Sequence, residues 1–101
     1  MIITKKSVYH HLIRPLQKSG YNVTLVGSIL YKGYSNKDID ILLKLPTYPK
    51  SEKIFLKFEA YLKKLNWTWN IEMETAEYGL FHNYQKRNRI GLDIFIQEGA
   101  I

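Results

Sequence analysis

The stretch VGSILYKGYSNKDIDILLKLP, residues 26–46, decides how the rest of the chain is read. A β-branched run ends in the pair Gly27-Ser28, nine residues intervene, and the triplet Asp38-Ile39-Asp40 then opens an apolar segment. Period-two alternation predicts a strand over 38–45, with Asp38, Asp40, Leu42 and Lys44 on one face and Ile39, Ile41, Leu43 and Leu45 on the other. Both aspartates therefore point the same way from the strand's start. Carboxylates held that close repel, and each raises the other's pKa unless a cation sits between them.

Working outward, Tyr21 to Val26 reads as a preceding strand ending at Gly27, and Ser28 as the cap of a single helical turn. Gly33 and Ser35-Asn36 supply turn residues before Asp38. Further upstream, Val8, Tyr9, Leu12, Ile13 and Leu16 form one helical stripe from Lys5 to Lys18, stopped by Ser19-Gly20, and Pro15 is expected to bend this helix or divide it at Arg14. Downstream, Pro46 to Pro49 is a loop and Ser51 is a candidate N-cap for a helix to Leu65, with Ile54, Phe55, Phe58, Leu62 and Leu65 facing the core. WTWNIEMET (67–75) alternates as a strand with one wet face. Tyr78 to Tyr84 and Ile90 to Ile96 read as two strands of a hairpin joined by the basic turn QKRNR. The order of elements predicts an α+β fold: a mixed, mostly antiparallel sheet of about five strands with two main helices packed on one face, residues 1–101 forming a single domain.

Composition narrows the chemistry. The chain is 46% hydrophobic and 14% aromatic, which predicts a packed fold rather than a disordered chain. It has no apolar run of membrane-spanning length, and MIITKKSVYHH lacks a signal peptide's hydrophobic centre, so the expectation is a cytoplasmic protein with no membrane partner. The absence of cysteine removes thiolate nucleophiles and thiolate metal sites, leaving oxygen and imidazole as ligands. A net charge of +6 favours a polyanionic partner, nucleic acid or nucleotide.

A third carboxylate belongs with the first two. In RIGLDIFI (89–96), Asp93 shares a face with Arg89, Gly91 and Phe95, opposite Ile90, Leu92, Ile94 and Ile96. An aspartate inside a strand is disfavoured by propensity and burial and needs a partner. Asp38, Asp40 and a metal supply one if the two strands are neighbours. All-oxygen ligands favour Mg²⁺, with Mn²⁺ as an alternative. The Gly27-Ser28 turn offers backbone N–H groups and a hydroxyl to phosphate oxygens. Phosphates there and metal at the aspartates describe one ligand, a nucleoside triphosphate with its Mg²⁺.

These residues together resemble the signature of the polymerase β-like nucleotidyltransferase superfamily: Gly27-Ser28, nine residues, Asp38-Ile39-Asp40, then a later strand bearing Asp93. The sequel DIDILLKLP is most similar to the palm domain of family X DNA polymerases, and the elements follow the same order over nearly the whole chain. The resemblance implies that Gly27 and Ser28 bind the triphosphate, that Asp38 and Asp40 bridge two metal ions, and that Asp93 ligates the catalytic metal and helps deprotonate the attacking hydroxyl. Two Mg²⁺ roughly 3.5 to 4 Å apart would serve an in-line displacement. Where the family carries an arginine three residues after the motif serine, this chain has Tyr31 followed by Lys32, and Lys32 is the residue expected to reach a phosphate. Gly91 stands where family X palms tend to have a further arginine.

The function expected is Mg²⁺-dependent transfer of a nucleoside monophosphate from an NTP or dNTP to a hydroxyl, with DNA or RNA the favoured acceptor and Lys86, Arg87 and Arg89 as candidate phosphate contacts. The rival is a nucleotidyltransferase-like interaction module, comparable to the superfamily's small antitoxins. It would act with a protein partner, or as a homodimer that completes the site, through Tyr31, Tyr34, Tyr48 and Phe81. A metal-independent nucleic-acid binder is a third reading. His10 and His11 read as surface or core-edge residues, Trp67 and Trp69 as core, and Lys53, Lys57, Lys63 and Lys64 as the wet face of their helix.

Overall fold

The apolar stripe of the first helix fixes its seat: Leu12, Ile13 and Leu16 are buried together with Phe58 and Leu62 of the later helix. The computed structural model describes residues 3–35, 38–65, 67–75, 79–85 and 91–101, with the backbone alone over 68–75 and 79–85. The described elements run β1 (Ile3–Thr4), α1 (Lys5–Val8), a π-helical turn (Tyr9–Ile13), α2 (Arg14–Lys18), β2 (Asn22–Val26), α3 (Gly27–Lys32) and β3 (Tyr34–Ser35). They continue with β4 (Asp38–Leu45), α4 (Lys50–Lys64), β5 (Thr68–Thr75), β6 (Gly79–Gln85) and β7 (Gly91–Glu98).

The class expected, α+β, is what the structure has. Strands hydrogen-bond in the order β2-β4-β7-β6-β5, and β1 and β3 pair as a separate two-stranded ribbon. β4 and β7 are parallel, while the β2–β4, β7–β6 and β6–β5 pairs are antiparallel. Alternation along β4 is complete: Ile39, Ile41, Leu43 and Leu45 are buried, while Asp38, Asp40, Leu42 and Lys44 are half-buried. Val23 and Leu25 of β2 and Leu92 and Ile94 of β7 extend the buried face, and both helical segments pack on it. Burial of that many Leu, Ile and Phe side chains, at about 1.5 to 3 kcal/mol each, is the main term holding sheet to helices. Trp67 joins this core at 5% exposure, as expected; the side chains of Trp69 and Phe81 lie outside the described residues.

Two local readings are corrected and one holds: the first helix divides at Arg14, beside Pro15. Its ring clashes with the carbonyl four residues back, and the chain answers by widening into the π turn, so that the Arg14 N–H bonds the Tyr9 carbonyl before α2 resumes. Ser28 is not a cap: Val26 holds that position with no side-chain bond, and Gly27 at φ +74° swings the chain into α3. Ser51 is likewise inside its helix, with Pro49 in the capping position, and its hydroxyl is drawn to Glu98 instead, 2.8 Å away. Among the described residues no helix is long and apolar enough to cross a membrane.

Candidate functional site

The antiparallel and parallel pairings of β4 set one row across the sheet. Val26 is the register partner of Asp40, Asp40 of Asp93, and Asp93 of Asn83 on β6. The two strands that carry aspartates are thus direct neighbours, and Asp40 and Asp93 sit side by side on the face away from the helices. Asp38, two residues earlier on the same face, is opposite Gly91. Its backbone N–H donates to Ser35 Oγ at 3.3 Å, which ties the start of β4 to the β1–β3 ribbon.

The electrostatics follow from this register. Asp40 is pushed up from an ordinary 3.8 to about 7, first by burial, then by a hydrogen bond shared with the Asp93 carboxyl, then by the charges of Asp93 and Asp38. Each of these terms acts in the same direction. Without a metal, the Asp40 carboxyl therefore keeps its proton well above the usual carboxylate range, towards neutral pH.

Gly27 closes the site from the side of β2. A methyl group on its Cα would press on the Asp40 carboxylate, approaching Cγ to 2.8 Å and Cβ to 2.9 Å. With φ at +74°, glycine is required there twice over, for backbone conformation and for clearance. The turn that launches α3 therefore lies directly against Asp40. Ser28 follows, half-buried, as the second residue of α3. Lys32 ends that helix and is exposed, about 7.5 Å of helical rise beyond Gly27. Lys86, Arg87 and Arg89 lie outside the described residues.

The structure thus brings together Asp38, Asp40, Asp93 and Gly27, with Ser28 next in the chain. The row also holds Asn83, the register partner of Asp93, a position without any motif in the sequence to single it out. The chemistry of the donors fits a hard cation: carboxylate oxygens, crowded, and carrying a proton that a divalent ion would displace. Asp40 and Asp93 are the residues placed to hold it. Among the described residues, however, no three His, Cys, Asp or Glu side chains converge tightly enough to hold a metal ion unaided. Asp38 contributes charge to the pair without completing such a group.

Of the other residues weighed from sequence, His10 and His11 are exposed, as are Lys53, Lys57, Lys63 and Lys64 on α4. Tyr31, Tyr34 and Tyr48 are exposed at 84%, 54% and 70%. Comparison with protein-family models finds none that matches the chain, and comparison with curated proteins finds no match either.

Proposed function

We propose that the protein is a divalent-cation-dependent nucleotidyltransferase of palm-like architecture, moving a nucleoside monophosphate from a triphosphate to a hydroxyl acceptor, with nucleic acid the favoured acceptor. The observation that carries this reading is the register of Asp40 beside Asp93 on parallel neighbours, with the Gly27 turn packed against Asp40. A half-buried, crowded carboxylate pair costs stability and asks for a function.

Bound Mg²⁺ would supply charge neutralisation at the transferring phosphate and acidify the attacking hydroxyl. The chain's residues would do the positioning. Asp40 and Asp93 would hold the cation, with Asp38 adding negative potential. The Gly27-Ser28 backbone and the Ser28 hydroxyl would face the phosphate oxygens, and Asp93 would accept the acceptor's proton. Catalysis of this kind is orientation and electrostatics, without a covalent intermediate on the protein. The test is calorimetric titration of each ribo- and deoxyribonucleoside triphosphate into the protein in Mg²⁺ and then in EDTA. Binding that needs the metal and disappears in the Asp38→Asn, Asp40→Asn double variant supports the site; binding indifferent to both changes removes it.

One observation favours a second reading. Because the described carboxylates do not close a metal site by themselves, a partner chain could supply the missing ligand, as in an interaction module or a dimer that completes the site. Triphosphate binding that rises with protein concentration, together with a doubled mass in sedimentation, would select this form.

A further inference from the structure

The charge of the molecule is divided at Asp38. Residues 1–37 contain Lys5, Lys6, Arg14, Lys18, Lys32 and Lys37 and not one Asp or Glu, whereas from Asp38 onward nine Lys or Arg balance nine Asp or Glu. The whole net charge of +6 therefore comes from the first third of the chain.

The structure turns this asymmetry into a surface. Val8, Leu12, Ile13 and Leu16 are buried, so the first helix shows solvent its other side, where Lys6, His10, Arg14 and Lys18 recur every fourth residue and are all exposed. That ridge is about 18 Å long. It is also costly for the helix: Arg14 and Lys18, four residues apart, repel, and lysines at a helix start oppose its dipole, with no acidic residue in the first turn of α1. The exposed lysines of α4 differ, because Glu52 and Glu59 share that helix.

The helix start is joined to α3. The Lys5 N–H donates to the Gly33 carbonyl at 2.9 Å, its Nζ reaches the Leu30 carbonyl at 3.5 Å, and Thr4 pairs with Tyr34. Lys32 and the exposed rings of Tyr31 and Tyr34 therefore continue the basic surface. Cations interleaved with exposed aromatic rings suit an unpaired nucleic-acid strand, whose phosphates meet the cations and whose bases stack on the rings. An anionic membrane fits less well, since the apolar side of the helix is locked in the core and cannot insert.

We infer that the exposed ridge of the first helix, continued by Tyr31, Lys32 and Tyr34, is a docking surface for single-stranded nucleic acid. The inference deepens the proposed function and rests on it for the strand's role as acceptor, while the binding itself needs neither metal nor carboxylates.

The test is fluorescence anisotropy of a labelled single-stranded oligonucleotide, in EDTA, across a salt series. The Lys6→Gln, Arg14→Gln, Lys18→Gln triple variant is compared with a Lys53→Gln, Lys57→Gln, Lys63→Gln triple on α4 that removes the same charge. Unpairing three phosphate contacts should weaken binding at least about tenfold and flatten the salt slope by about 2. The α4 triple should stay within about twofold of the parent, and Tyr31→Ala should weaken binding at least about fivefold. Equal losses in both triples would reduce the effect to net charge and overturn the surface. So would parent-like binding by the first triple, or capture of the protein by phosphatidylserine vesicles in the absence of oligonucleotide binding. Because EDTA excludes any metal-held nucleotide, failure here counts against the ridge alone, and failure of the triphosphate titration counts against the carboxylate site alone.

Discussion

Two points along the β4–β7 pair handle their carboxylates in opposite ways. At one end Asp40 lies beside Asp93, and the two carboxyl groups share a hydrogen bond while their charges oppose each other. At the other, about 17 Å along the same strands, Glu98 lies beside Leu45, and the buried Ser51 hydroxyl donates to it at 2.8 Å. The second arrangement is how a fold settles a carboxylate for its own sake, with a neutral donor from a neighbouring helix. The first sets like charges against each other, a conflict that a bound cation would relieve. The two differ in burial and in neighbours, since Glu98 is exposed and bonded to a hydroxyl while Asp40 is half-buried against a second carboxyl, and the crowded pair is the end we propose as functional.

The largest expected effect separates the two ends by activity. If Asp40 holds a cation as proposed, Asp40→Asn should lower nucleotidyl transfer about 10²-fold or more while leaving the fold intact. Glu98→Gln keeps an acceptor for Ser51 and should leave transfer unchanged. Primer- or hydroxyl-labelling with radiolabelled triphosphate measures both, and an Asp40→Asn protein of undiminished turnover would break the comparison.

Gly27→Ala comes next and reads on stability. It forces a side chain into left-handed backbone and drives a methyl group onto the Asp40 carboxylate, for a cost of about 2 to 3 kcal/mol. Gly20→Ala is its control: φ is +96°, but no atom lies within 4 Å of the added methyl, so only the backbone term of about 1 to 2 kcal/mol applies. Urea denaturation of the pair isolates the collision at the site, and equal costs would mean that Gly27 serves conformation alone.

How far the site could be read from sequence depends on which interactions are local. β4 was legible to the residue because DIDILLKL keeps an apolar residue at every second position, with Leu42 alone departing on the other face, and Pro46 ends it. The three aspartates and the glycine could be nominated by composition and spacing. Their meeting was implied by the resemblance and not by local pattern, since the pairing of β4 with β7 joins residues more than fifty apart, and nothing in either strand encodes a parallel register with Asp40 facing Asp93. The two serines show the same limit from the other side. Ser28 and Ser51 have the local look of caps, but a positive-φ glycine displaces one and a glutamate 47 residues away recruits the hydroxyl of the other. Capping is a local preference worth about 1 kcal/mol, and a tertiary partner of similar strength overrides it.

A smaller effect reads the Asp40 proton directly. In EDTA, the folded chain keeps Asp40 protonated up to about pH 7, whereas the unfolded chain releases that proton near its ordinary 3.8. The folded state therefore binds more protons across that interval, and its stability falls as pH rises from about 4 to 7, being fully present below and lost above. For a half-exposed carboxyl, solvent screening reduces the span to about 1 to 2 kcal/mol. Asp40→Asn should flatten the profile, and Mg²⁺ should restore stability to the parent at pH 8 but not to the variant. A parent profile that rises over this interval in EDTA would mean that the carboxylates are paired with something other than each other.

The smallest expected effect belongs to the settled end. Ser51→Ala removes one hydrogen bond to Glu98, whose exposed carboxylate can turn to water, so the cost should be about 1 kcal/mol at neutral pH. Because the bond is made to the ionised carboxylate, Ser51→Ala and Glu98→Gln should interact in a double-mutant cycle, the serine counting for less once the charge is gone. Neither change should alter the pH profile set by Asp40, since the two sites lie farther apart than the distance over which exposed charges act in salt. If Ser51→Ala did move that profile, the sheet would transmit charge between its ends, and the separation between a structural carboxylate and a functional pair would have to be redrawn as one coupled system.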